Sequence, residues 1–141
     1  MRDLALLKEP FLSKVKDFLA ELDRIGFEYL ISETLRTKAV QEAYFAQGRK
    51  PLEEVNKLRV SAGLWEISEK ENKTKITWTL KSKHLEGLAI DIVPSKDGKF
   101  WWNAPDEKWK QMRDISEQFD IESGYTWKNK DIPHFEERIK Q

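Results

Sequence analysis

The chain has 141 residues, a length that suits one domain with a modest core. It carries 25 basic and 25 acidic side chains, and this balance gives no support for a nucleic-acid partner or for binding to an acidic membrane surface. Because the sequence contains no cysteine, a disulfide framework and thiol catalysis are both excluded.

Three helices and one strand are predicted in the N-terminal half. Apolar residues recur at three- and four-residue steps over Pro10–Ile25, which predicts an amphipathic helix. Phe27–Ile31 is a candidate strand. Thr37 is a suitable N-cap for a helix over Lys38–Gln47, and Pro51–Ala62 has the pattern of a third helix.

Two further strands and a helix are predicted in the second half. Ile76, Trp78 and Leu80 alternate with polar residues and predict a strand. A second strand is predicted over Leu88–Val93, and Pro105 opens a helix that extends to about Phe119.

A motif around Leu88–Val93 combines a histidine with a buried acid. In this strand Asp91 shares a face with Ala89, where an unpaired carboxylate would be costly to bury. His84 precedes a turn predicted at Gly87 and can therefore fold back towards Asp91. A metal ion held by both side chains would supply the partner that the carboxylate needs.

The second histidine of the chain lies in the segment Asp131-Ile132-Pro133-His134-Phe135-Glu136. Two imidazoles and one carboxylate form a common catalytic zinc set that leaves a position open for water. Asp131 is a candidate base for that water, and Glu136 is the rival. In a strand, Glu136 lies on the same face as His134 and can be its hydrogen-bonding partner. An exposed charge is the equal alternative for Glu136.

The two motifs together, SxHxxGxAxD and DxPHF, resemble the VanY-type D-alanyl-D-alanine carboxypeptidase family of zinc peptidases. The chain is most similar to the family's phage L-alanyl-D-glutamate endopeptidases. The resemblance implies that His84, Asp91 and His134 bind one zinc ion and that Asp131 is the catalytic carboxylate. Mixed imidazole and carboxylate ligands suit zinc, although they do not exclude another divalent ion.

The resemblance also implies a fold. We expect an α+β domain of the hedgehog/D-Ala-D-Ala-peptidase type, with a small, mainly antiparallel sheet and helices packed on one side. Its central strand carries Asp91, and a strand near the C-terminus carries His134. We expect one catalytic domain over residues 1–141, with no separate cell-wall-binding domain.

Further site residues follow from the family segment GYR(S/T)xxxQxxLYxxGR, which is represented here around Arg36 and Gln41, with Thr34-Leu35 in place of its Gly-Tyr. The resemblance implies that Arg36 holds the substrate and the developing oxyanion; a surface salt bridge is the alternative. Ser82, Gln41, Trp101 and Trp127 are weaker candidates for substrate contacts, and core packing is the alternative for Trp101.

The predicted function is a zinc-dependent peptidoglycan endopeptidase, an endolysin that cuts the L-alanyl-D-glutamate bond of stem peptides. A D-alanyl-D-alanine carboxypeptidase or dipeptidase is one alternative, and a non-catalytic wall-binding protein is another. We expect a monomer that binds no nucleic acid and does not insert into membranes. The apolar run Leu4–Leu7 is too short for a signal peptide, so we expect synthesis in the host cytoplasm and holin-type release to the wall.

Overall fold

The computed structural model describes residues 1–77 and 79–138. The chain divides into two compact units, one formed by residues 1–35 with the chain from residue 86 onward, the other by residues 36–85. The prediction of a single catalytic domain stays a prediction. None of the helices in the described residues is long and apolar enough to cross a bilayer.

The first unit contains an antiparallel sheet whose strands are β1 (Tyr29–Glu33), β2 (Ala89–Lys96), β3 (Lys99–Phe100), β4 (Ile121–Ser123) and β5 (His134–Glu137). The strand order is β1-β2-β5-β4, and the short β3 pairs with β2. Strand β2 therefore lies at the centre of the sheet, as predicted for the strand that carries Asp91.

The helices of the described residues are α1 (Phe11–Arg24), α2 (Lys38–Ala46), α3 (Leu52–Ser61) and α4 (Asp106–Glu117). Helices α1 and α4 share one hydrophobic core with the sheet of the first unit. Phe18 of α1 is fully buried, and its ring centroid lies 5.2 Å from that of Phe135 on β5. The core thereby fixes the strand that carries His134, and the predicted α+β class is confirmed.

The second unit contains α2 and α3. The Thr37 hydroxyl accepts a hydrogen bond from the Val40 amide and caps α2, as predicted. After α2, the buried Gln47 donates to the carbonyl oxygens of Glu71 and Thr74, at 3.1 Å in both cases. A buried amide thus holds the irregular segment that leads towards His84.

Two details of the predicted secondary structure are wrong. The first strand begins at Tyr29 rather than Phe27, because the Phe27 amide still donates to the Leu22 carbonyl at the end of α1, at 2.9 Å. No strand forms in residues 74–77 or 79–82, and Trp78 lies outside the described residues. The Thr79 hydroxyl accepts from the Lys81 amide at 2.9 Å, which is the local side-chain bonding that competes with strand pairing.

Candidate metal centre

Asp91 and His134 meet because their strands pair. They are directly opposed in the antiparallel register of β2 and β5, and the Ile92 amide next to them donates to the Pro133 carbonyl at 2.9 Å. Directly opposed residues have Cβ atoms about 4.5–5.5 Å apart. Here Nδ1 of His134 lies 3.3 Å from Oδ1 of Asp91.

His84 lies in a single 3-10 turn, Lys83–Glu86, and its side chain is 1% exposed. The Ser82 hydroxyl accepts from the His84 amide at 3.2 Å, so this candidate for substrate contact caps the turn. The predicted turn after it is present, with Gly87 in the left-handed region at φ +72°.

His84, Asp91 and His134 each offer one ligand atom, and these atoms all lie within 4.8 Å of one another. Two ligand atoms held about 2.1 Å from one tetrahedral zinc ion are roughly 3.4 Å apart. The 3.3 Å between the Asp91 and His134 atoms matches that value. Two imidazoles with one carboxylate are also the donor set that zinc prefers, so the residues present fit one zinc ion.

His134 is held from both sides of its ring. Its Nε2 lies 2.8 Å from Oε1 of Glu136, while Nδ1 is the atom near Asp91. Burial disfavours the charged imidazolium, but the hydrogen bonds to Asp91 and Glu136 and the negative charges of Asp91 and Asp131 outweigh it. Together they raise the pKa of His134 to about 9. Without a metal ion, this histidine is therefore protonated at neutral pH.

Asp131 lies beside this centre. Its Oδ2 is 3.8 Å from Nδ1 of His134, and its side chain is 49% exposed. The metal-binding group found among the described residues does not include Asp131. The carboxylate is thus next to the candidate metal ligands and within reach of water, which are the two conditions that a base for a water molecule must meet.

Trp127 covers another part of the same region. Its ring is half-buried, and its centroid lies 5.2 Å from that of the His134 imidazole. An aromatic side chain at this distance shields the histidine from solvent on one side. Contact between Trp127 and substrate stays a prediction.

Arg36 is oriented by two neighbours in the second unit. Its guanidinium donates to Oε1 of Gln41 at 2.7 Å and lies 4.9 Å from the centroid of the Tyr44 ring. Gln41 is fully buried, and its Nε2 donates to the Thr79 carbonyl at 2.6 Å. Gln41 therefore supports the Arg36 side chain, and contact between Gln41 and substrate stays a prediction.

Trp101 lines a different cavity. Its groove has a volume of about 280 Å³ and is also lined by Phe27, Lys96 and Lys108. None of the metal-binding residues contributes to this lining. Contact between Trp101 and substrate stays a prediction.

Two residues that contact predicted site residues carry no role in the sequence-based predictions. Tyr44 stacks on Arg36, and Gly124 contacts Asp131. Tyr44 lies within the family segment, and Gly124 stands seven residues before the predicted base. Their positions in the sequence placed both near predicted site residues, but only the folded chain shows the contacts that they make.

The family model described as D-alanyl-D-alanine carboxypeptidase matches residues 75–137, which include both histidine motifs. No curated protein matches the chain by sequence. The match and the resemblance in the motifs agree, and the predicted likeness to this family is confirmed.

Solved structures with the same fold include several cell-wall peptidases. The L-Ala D-Glu endopeptidase ChiX of Serratia marcescens has a TM-score of 0.60 at 21% identity, over 94% of this chain and 81% of that chain. The D,D-pentapeptidase VanY of a VanB-type resistance cassette, solved with Zn(II), has a TM-score of 0.57 at 15% identity, over 93% and 72%. The LD-carboxypeptidase LdcB has the same TM-score and identity, over 93% of this chain and 58% of that chain.

The predictions of a metallopeptidase and of one zinc ion are thereby confirmed, by the family match together with the His-Asp-His group.

Proposed function

We propose that this zinc metallopeptidase hydrolyses peptidoglycan stem peptides, and that its bond is the one between L-alanine and D-glutamate. The observation that carries the proposal is the His84–Asp91–His134 group with a further acid beside it, Asp131, whose Oδ2 lies 3.8 Å from Nδ1 of His134. The fold of the Serratia L-Ala D-Glu endopeptidase and the family segment around Arg36 support the choice of bond.

The chain's own residues supply the proton transfers. A divalent ion, when bound, contributes Lewis acidity and lowers the pKa of water towards about 7. Oδ2 of Asp131 is the atom that accepts the proton of the attacking water and returns it to the leaving amine. Its half-exposed side chain lets water and the substrate amide reach it.

Arg36 is the proposed partner of the negative charge that develops on the scissile carbonyl oxygen. Its guanidinium is oriented by Gln41 and Tyr44 before substrate arrives. A preoriented donor stabilises the transition state without reorganisation during the reaction. A Lys at this position would lose the planar fork that Gln41 and Tyr44 orient.

The test is digestion of purified sacculi and of defined pentapeptide muropeptides, with the products identified by mass spectrometry. Cleavage at the proposed bond yields a new amino-terminal D-glutamate and a disaccharide that retains L-alanine. Asp131→Asn should lower the rate at which these products form by about 10²–10⁴-fold, while Asp17→Asn, at an exposed position on α1, is the matched control and should leave that rate unchanged.

A D-alanyl-D-alanine carboxypeptidase is the second candidate, because the matching family model carries that description. Release of free D-alanine without new D-glutamate termini would establish it and refute the endopeptidase. If neither product appears from zinc-loaded protein, the non-catalytic wall-binding alternative gains support.

The biological setting is part of the same proposal. We infer a phage endolysin that acts as a monomer, is made in the bacterial cytoplasm and reaches the wall through holin-type release. The support is the resemblance of its motifs to phage endopeptidases. Lysis of an expressing culture only when a holin is co-expressed would support this setting.

A further inference from the structure

The backbone around Asp131 is held by one residue outside the histidine motif. Asp131 precedes β5 in a segment whose neighbours 128–130 are exposed. Its amide donates to the Gly124 carbonyl at 3.0 Å, and its own carbonyl accepts from the His134 amide at 3.1 Å. The Asp131 peptide is therefore fixed between Gly124 and a metal ligand.

Gly124 is buried and makes an unusually close approach to this peptide. A Cβ atom at Gly124 would collide with the Asp131 carbonyl oxygen and lie 3.1 Å from both the carbonyl carbon and Cβ of Asp131. Gly98 shows the opposite case: its φ is +74°, yet no atom of the described residues lies within 4 Å of the place that a Cβ atom would take. Gly124 has no such left-handed φ, so close approach is what requires a glycine there.

We propose that Gly124 is a positioning residue for the catalytic carboxylate of Asp131. Any side chain at position 124 pushes the Asp131 peptide outward and moves its carboxylate away from the position beside His134. A misplacement of about 1 Å can lower a rate by roughly 100-fold. Asp91 and His134 are held by strand pairing instead, so the metal ligands stay in place.

The inference rests on the proposed function, and the main test is Gly124→Ala in the zinc-loaded enzyme. We expect kcat to fall by about 100-fold, with KM and zinc affinity close to those of the wild type. Gly98→Ala is the matched control: its left-handed φ makes the substitution strained and lowers the stability of the fold, but kcat of the folded protein should be unchanged. An unchanged kcat in Gly124→Ala, or a loss of zinc affinity in proportion to activity, overturns the proposal.

A double-mutant comparison shows whether Gly124 acts through Asp131. Once Asp131→Asn has removed the base, adding Gly124→Ala should lower the residual kcat no further, because there is no carboxylate left to position. A further loss of about 100-fold in the double variant would mean that Gly124 acts by another route, and the proposal would be wrong.

Hydrogen exchange tests the structural link without any activity. In the metal-free wild type, the Asp131 amide should exchange more slowly than the amides of Asn129 and Lys130, since it is bonded to a buried carbonyl. Equal exchange at these positions overturns the proposal even if Gly124→Ala does not fold. If instead the wild type shows this protection but cleaves no peptidoglycan, the proposed function fails and the positioning of Asp131 by Gly124 stands.

Discussion

Glu136→Gln isolates the electrostatic support that β5 gives to its own metal ligand. Glu136 and His134 lie on the same face of the strand, with 2.8 Å between Oε1 and Nε2. The glutamine keeps the size and an acceptor oxygen but removes the negative charge. We expect the variant to fold normally and to bind zinc more weakly.

The magnitude follows from the burial of this pair. The side chains of His134 and Glu136 are only 6% and 14% exposed, so water screens their hydrogen bond weakly. Hydrogen bonds to a charged group contribute about 1.5–3 kcal/mol, against about 0.5–1.5 kcal/mol for neutral ones. The loss of roughly 1–2 kcal/mol corresponds to a zinc affinity about 5- to 30-fold lower, which overlaps the losses of roughly 10- to 100-fold known for partners of ligand histidines.

The assay is competition for zinc between the protein and a chromophoric chelator at fixed pH. The physical reason for the loss is that Glu136 accepts the Nε2 proton, which leaves Nδ1 on the side of Asp91. The neutral amide holds that proton less strongly and orients the ring less firmly. Circular dichroism of the metal-free variant verifies that the fold is intact.

Glu137→Gln is the matched control. Glu137 is the next residue on the same strand, but its carboxylate pairs with Lys14 of α1. This change should lower the thermal midpoint and leave zinc affinity within about twofold of wild type, since it does not touch the imidazole. Equal zinc affinities of wild type and Glu136→Gln would refute the reasoning.

Three further outcomes are expected. His84→Ala should lose both zinc and activity, since it removes one of three ligands; zinc retained at wild-type affinity would contradict the site. Asp131→Ala should keep zinc, and its kcat should be about 10²–10⁴-fold lower. If this variant turned over at the wild-type rate, the role of base would pass to Glu136. In the metal-free folded protein the pKa of His134 is about 9, above its ordinary value of 6.5. The protonated form therefore stabilises the fold fully below pH 6.5, and this stabilisation is lost as the pH rises through about 9. The urea midpoint of the metal-free protein should therefore fall between pH 6.5 and about 9. If the midpoint of His134→Gln had the same pH profile, the pH dependence would not come from His134.

The sequence by itself determined the local features of this protein. Helices α1 to α4 follow from apolar periodicity and from local signals such as the Thr37 cap, which act within a few residues of one another. The strand around Asp91 is equally local, because alternating apolar residues mark it. The two histidine motifs also indicated the family likeness, and they named the three candidate metal ligands that the fold brings together.

Tertiary structure alone decided how these local pieces meet. The short β4 has no counterpart among the strands predicted from the sequence, and the bonding of Thr79 overrides the alternating pattern that predicted a strand there. The register that opposes Asp91 to His134 depends on pairing between two strands that are distant in the chain. The contact of Gly124 with Asp131 depends on a backbone approach that leaves no trace in residue periodicity, because close packing is a property of the folded chain and not of its sequence pattern.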